Sequence, residues 1–104
     1  MAEDTLSLGG SIKLTGFSEI DSADMIVVKK IVGNYVKKMS EMTAFQELQL
    51  TLKKVHAKEG DPIFEIHGKV LGKKKVYTSE IDDRNLYVGL DLVLKKLSSE
   101  MGIK

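Results

Sequence analysis

The sequence contains no cysteine, a single proline and few aromatic residues. Without cysteine, the chain has no disulfide scaffold, no thiol nucleophile and no zinc or iron–sulfur site built on thiolates. No apolar stretch reaches the roughly 20 residues that a helix needs to cross a bilayer. The N-terminal stretch MAEDTLSLGG is acidic and lacks the pattern of a signal peptide. These absences predict a cytoplasmic protein.

The composition is typical of one globular domain. The length of 104 residues suits a single compact domain, and 42% hydrophobic with 30% charged residues is not the composition of a disordered chain. Residues 1–10 show no hydrophobic periodicity and end in two glycines, so we expect a flexible leader there. Residues 11–104 are expected to form the domain.

A short strand and a long helix are predicted at the start of this domain. Ile12 and Leu14 alternate with polar neighbours, which favours a strand. From position 23 to about 42, apolar residues recur every three or four positions, as expected for an amphipathic helix that Asp21 or Ser22 caps. Its polar half carries four lysines: Lys29, Lys30, Lys37 and Lys38.

Three alternating segments are predicted to follow as an antiparallel meander. The first two are joined by the loop KEG, in which Gly60 is expected to be left-handed, and the only proline, Pro62, stands at a strand start. A slip of one residue would bring Lys69 into the core, so the parity of the pattern supports one register. The loop then pairs Ala57 with Asp61, Lys53 with Glu65, Leu52 with Ile66 and Leu48 with Val70.

A second amphipathic helix closes the chain. Its apolar stripe follows an i, i+4, i+7 pattern: Leu86, Leu90, Val93, Leu94, Leu97 and Met101. The order β-α-β-β-β-α predicts an α+β fold, with a four-stranded mixed sheet, a right-handed crossover between strands one and two, and both helices on the leucine-rich face. The other face of the sheet is expected to be polar and open to water.

The sequence shows no catalytic constellation. His56 and His67 are the only imidazoles; they are predicted to lie on opposite sides of the sheet and lack metal-motif spacing. No segment has the glycine pattern of a phosphate-binding loop. Asp82 and Asp83 directly precede the last predicted helix, so we interpret them as its N-terminal cap and not as metal ligands. We therefore expect no enzyme, no metal site, no cofactor and no small-molecule substrate.

The basic residues are clustered although the net charge is only +1. All of them except Arg84 are lysines, and most stand in pairs or in the triplet at positions 73–75. Lysine is a compact point charge that suits phosphates better than base edges, and the scarcity of aromatic residues argues against base stacking. These features predict either a domain that recognises structured RNA by shape and charge, or ordinary solvated lysines.

Three local signatures resemble the ribosome hibernation-promoting factor family, also called ribosome-associated inhibitors, in its short single-domain form. They are IKLTG before the first helix, LTLKKVH in the second strand, and NLYVGLDLVLKKL in the last helix. In the third signature, where the family typically reads YAAIDLLIDKL, the matching positions are Tyr87, Asp91, Lys96 and Leu97. The resemblance covers roughly positions 11–104.

The resemblance implies a fold related to double-stranded RNA-binding domains and a role in ribosome hibernation during stress. A protein of this kind docks in the decoding channel of the small ribosomal subunit and blocks mRNA and tRNA, without chemistry. It is expected to be monomeric off the ribosome, not to bind membranes, and to be without the C-terminal dimerisation domain of the long-form factors. The rRNA-contacting positions would be Lys29, Lys30, Lys37, Lys38, Lys73, Lys74, Lys75, Arg84, Lys95 and Lys96.

Two alternatives stay open. The domain could bind a structured RNA other than the ribosome, or it could be a protein-interaction domain that uses the open sheet face or an edge strand.

Overall fold

The chain folds into one mixed β-sheet with two helices. The computed structural model describes residues 5–8, 11–18, 20–42, 44–55, 60 and 62–102. The elements in chain order are β1 (Thr5–Leu8), β2 (Ile12–Thr15), α1 (Ser22–Met42), β3 (Phe45–Val55), β4 (Ile63–Gly72), β5 (Val76–Asp83) and α2 (Leu86–Glu100).

The sheet has the predicted mixed topology. Its strand order is β1-β2-β3-β4-β5; β2 and β3 are parallel, as a crossover through α1 requires, and the other pairs are antiparallel. The predicted α+β class and the order β-α-β-β-β-α over β2 to α2 are confirmed.

One strand was not predicted. Thr5–Leu8 form β1, which pairs with β2 and adds a fifth strand at the edge of the sheet. The prediction of a flexible leader is therefore wrong for these four residues, and the rest of positions 1–10 lie outside the described residues. Four alternating residues are too short a pattern to indicate a strand without the partner that pairs with them.

The register of the β3–β4 hairpin is the predicted one. Leu52 pairs with Ile66, and the Leu48–Val70 and Lys53–Glu65 pairs are present as well. Side chains alternate between faces, so this register places all the leucines of β3 on one face. Gly60 has the expected positive φ of 93°. His56, Ala57 and Asp61 lie outside the described residues.

Both helices cover the leucine-rich face and form one core with it. The fully buried side chains come from α1, α2 and alternate strand positions: Leu14, Val28, Val32, Met39, Leu48, Leu50, Ile66, Val70, Leu90, Val93, Leu94 and Leu97. Helix α2 lies very close to β4, because a Cβ placed on Gly68 would be only 2.6 Å from Leu97 Cδ1. The opposite face of the sheet carries mainly polar side chains, with Val76 exposed among them, and no described residue covers it.

The interpretation of Asp82 and Asp83 as the cap of the last helix is wrong. These residues end β5, and the N-cap of α2 is Asn85, whose side chain accepts hydrogen bonds from the backbone N–H groups of Tyr87 at 3.0 Å and Val88 at 3.1 Å. Asp83 Oδ1 accepts a hydrogen bond from Asn85 N at 2.8 Å. The β5 alternation continues to Asp83, so the carboxylate supports the cap residue instead of being the cap.

Helices α1 and α2 run in the same direction and are joined by two tyrosines. The hydroxyl of Tyr35 donates to Asp91 Oδ1 at 2.7 Å, and the hydroxyl of Tyr87 donates to Asp24. The earlier residue of α1, Asp24, contacts the earlier residue of α2, Tyr87, and the later residues, Tyr35 and Asp91, contact each other. The two helices are therefore parallel. The N-terminal ends of both helices thus lie at one end of the domain, and their C-terminal ends at the other.

We expect Tyr35 to titrate well above an ordinary phenol. Burial, and then the hydrogen bond to Asp91, raise the pKa of Tyr35 from 10.0 to about 12. Since the folded-state pKa exceeds the unfolded one, this contact stabilises the fold below pH 10, and the contribution is lost as the pH rises through about 12. A titration of phenolate absorbance in the near ultraviolet should show a high-pH component that Tyr35→Phe removes and Asp91→Asn moves to lower pH. A Tyr35 phenolate that is already half formed near pH 10 would contradict this prediction.

Candidate nucleic-acid interface

Helix α1 presents a line of cations to solvent. Its buried positions Val28 and Val32 face the sheet, whereas all four of its lysines are exposed. Lys30 and Lys37 are seven residues apart, which places them within about 20° of each other and about 10.5 Å apart along the helix axis. They can therefore contact two phosphates of one chain at the same time.

The β4–β5 turn carries three more exposed lysines, at positions 73–75. The turn is closed by a hydrogen bond from Gly72 N to Lys75 O at 2.9 Å, and the Lys75 ammonium lies 5.6 Å from the centre of the Tyr77 ring. These residues line a shallow cavity of about 310 Å³ together with Ala44 and Met101. Because Ala44 follows α1 and Met101 ends α2, the turn lies beside the C-terminal ends of both helices.

The fold brings seven predicted lysines to this end of the domain. We call this surface the basic end and define it by Lys37, Lys38, Lys73, Lys74, Lys75, Lys95 and Lys96, all of which are exposed. Glu41 and Glu100 are exposed nearby. The partial negative charge at the C-termini of α1 and α2 also favours cations at this end. The basic end is a site assembled from three elements that are distant in the sequence.

The structure separates Arg84 from the basic end. The Arg84 guanidinium would lie 3.3 Å from a Cβ on Gly60, so it stands at the β3–β4 loop. In the β4–β5 ladder, the Phe64–Asp83 pair lies at the end next to Arg84, and the Leu71–Val76 pair lies at the end next to the lysine turn. Seven residues of strand correspond to roughly 23 Å at about 3.3 Å per residue. Lys29 and Lys30 lie in the first half of α1, between the two ends.

The predicted cations have no ion-pair partners within the described residues. On the open sheet face, Lys13 Nζ forms an ion pair with Glu47 at 3.1 Å, and His67 Nδ1 lies 3.2 Å from Glu80, a contact that is an ion pair only when the imidazole is protonated. There, hydrogen bonds from Gln49 and then Lys13 lower the pKa of Glu47. The lysines of the basic end therefore form no close ion pair in the described residues, although Glu41 and Glu100 follow Lys37 and Lys96 by one helical turn.

Several exposed aliphatic residues were not recognised as surface positions from the sequence. They lie on the solvent side of the two helices: Ile26 and Val27 in α1, and Val88 and Leu92 in α2. The helical periodicity does indicate that they are exposed, because each of them falls outside the apolar stripe that marks the buried face. Exposed apolar groups near lysines add a second kind of contact to this side of the molecule.

No metal centre is found in the part of the chain that the structure describes. His67 is exposed on the open sheet face near Glu80 and Glu65, and no group of three His, Asp or Glu residues there could hold a metal ion. Among the described helices, none is both long and apolar enough to span a membrane.

The chain matches no protein-family model, and no curated protein is significantly similar to it in sequence. The resemblance to the hibernation factors therefore remains a prediction carried by the three signatures.

Proposed function

We propose that this protein binds the small ribosomal subunit through its basic end and the lysine line of α1, and inhibits translation by occupying the mRNA and tRNA channel. The observation that carries the proposal is the convergence of unpaired lysines from α1, α2 and the β4–β5 turn at one end of the fold. Lysine ammonium groups on rigid elements fit phosphate groups held at fixed positions in folded RNA. The protein acts by occlusion, without catalysis or a cofactor, in the cytoplasm and as a monomer when off the ribosome.

The open sheet face is the less suitable surface for RNA. Recognition of single strands on a sheet depends on exposed aromatic rings that stack with bases. The shallow concavity on this face is instead lined by polar or small residues: Gln49, Thr51, His67, Gly68, Lys69, Thr78, Ser79 and Glu80. The helices and the lysine turn are thus the favoured surface for a structured RNA backbone.

The signature in α2 supports the fold more directly than the function. Tyr87 and Asp91, two of its matching residues, contact Asp24 and Tyr35 of α1 and so join the two helices. Leu97 is buried in the core. These positions hold the helices in place, whereas the charge distribution supports binding to structured RNA, and the choice of the ribosome as that RNA rests on the resemblance.

The salt dependence of co-sedimentation with purified small subunits tests the proposal. Each neutralised phosphate contributes roughly −0.7 to −0.9 to the slope of log affinity against log salt concentration. Four such contacts would weaken binding roughly 50- to 150-fold when the salt concentration is raised fourfold. No co-sedimentation at low salt would overturn the proposal.

Two other functions give different results in the same assays. A module for a non-ribosomal RNA would prefer an isolated RNA duplex to small subunits in a direct competition. A protein-interaction domain is favoured by the exposed aliphatic residues Ile26, Val27, Val88 and Leu92. Binding of that kind would be weakly dependent on salt and insensitive to the charge of the lysines.

A further inference from the structure

Helix α1 contains a glycine that the fold does not require. Gly33 is exposed, and a Cβ at this position would meet nothing within 4 Å outside the neighbouring helix backbone. Glycine is the poorest helix former after proline, yet α1 continues through it from Ser22 to Met42. Gly33 therefore does not interrupt α1, and no close contact with the rest of the fold requires a residue without a side chain there.

Gly33 lies on the lysine line of α1. It follows Lys30 by three residues and precedes Lys37 by four, so all three fall within about 60° around the helix axis. Along the axis, about 4.5 Å separate Gly33 from Lys30 and about 6 Å separate it from Lys37. The exposed surface of α1 therefore has a notch without a side chain, with one ammonium group on each side.

We infer that Gly33 is the point at which the sugar–phosphate backbone of a bound RNA crosses α1 in direct contact with the helix main chain. This inference rests on the proposed function. A missing side chain lets another backbone approach closely, and Lys30 and Lys37 then reach phosphates on either side of the crossing. The two flanking cations favour a polyanion over a protein segment at this notch.

A side chain at position 33 would hold the RNA away from the helix and lengthen both lysine–phosphate distances. The same substitution would make α1 a better helix. Stability and RNA binding are therefore expected to change in opposite directions, which distinguishes a contact residue from a structural one.

The test uses Gly33→Ala and Gly33→Gln in the full chain, with purified small ribosomal subunits at low salt as the probe. Gly33→Ala is expected to raise Tm by about 2–8 °C, and Gly33→Gln is expected to leave Tm at or above the wild-type value. We expect Gly33→Gln to weaken binding at least tenfold and Gly33→Ala to weaken it less. Ala23→Gln is the matched control, because Ala23 is exposed on the same helix near its N-terminus; its binding should equal that of the wild type.

Three results would overturn the inference. The first is wild-type binding by Gly33→Gln while a Lys30→Glu and Lys37→Glu variant loses binding, which leaves the proposed function standing. The second is an equal loss of binding in Ala23→Gln. The third is a loss in Gly33→Gln that does not depend on salt, which would identify a protein contact at the notch. If the lysine variant also binds like the wild type, the proposed function itself fails.

Discussion

Replacing the three lysines of the β4–β5 turn by glutamate is expected to lower the affinity for small ribosomal subunits by at least 100-fold. The variant removes three exposed cations at positions 73–75 and adds three anions at the centre of the basic end. If each lysine–phosphate contact contributes about 1 kcal/mol, within the range for hydrogen bonds in proteins, the loss of three gives about 150-fold. Co-sedimentation at a fixed low salt concentration measures this change.

A control with the same change in net charge separates the site from the overall charge. Lys53, Lys54 and Lys69 are exposed on β3 and β4, outside the basic end, and their replacement by glutamate alters the charge equally. We expect this control to lose less than tenfold. A similar loss in both variants would mean that the total charge governs binding and would refute the basic end as the contact surface. The turn variant should stay folded, because the Gly72–Lys75 hydrogen bond that closes the turn joins backbone atoms.

The second large effect concerns stability. Gly16→Ala is expected to lower the free energy of unfolding by about 3 kcal/mol or more, a large part of the 5–15 kcal/mol typical of a domain. Gly16 follows β2 with a φ of 83°, and a Cβ there would lie 2.1 Å from the carbonyl oxygen of Leu52. Leu52 belongs to β3, a central strand whose pairing on both sides resists displacement. Urea denaturation of the variant and the wild type measures the difference.

Two other glycines provide matched controls for this substitution. Gly102 has the same φ of 83° but open space around it, so Gly102→Ala should show only the conformational cost, about 1 kcal/mol. Gly33 has open space in a helix, and Gly33→Ala should increase stability. If Gly16→Ala costs no more than Gly102→Ala, the close approach of β2 and β3 at Gly16 is not rigid.

Features that depend on residues close together in the sequence were predictable, whereas features that depend on contacts between distant segments were not. The β3–β4 register was predictable because a slip of one residue would bury Lys69, and the structure has the Leu52–Ile66 pair. The strand β1 was not predictable, since its four residues gain their conformation from pairing with β2. The cap position was not predictable, because both Asp83 and Asn85 are residues that commonly cap a helix. The backbone geometry shows that Asp83 ends β5 and that Asn85 is the N-cap of α2.

The candidate site divides in the same way. Each lysine cluster is visible in the sequence, and the helical period separates the lysines of α1 from its buried face. Which clusters share a surface depends on the direction of α2 relative to α1, and thus on contacts such as Tyr35 with Asp91. Arg84 lies at the end of the sheet opposite to the basic end, beside Gly60.

The α+β class, the order of the elements from β2 to α2, the core faces and the hairpin register could all be predicted from the amino-acid order, because periodicity and turn chemistry act over a few residues. Packing, in contrast, brings Lys37 and Lys38 of α1 to the same end of the domain as the lysines of α2 and of the β4–β5 turn. The tertiary structure also shows that no close contact requires a glycine at position 33, since that conclusion needs the empty space around its missing side chain. The physical reason is common to both: a surface shared by distant segments is created by packing, which no local pattern encodes.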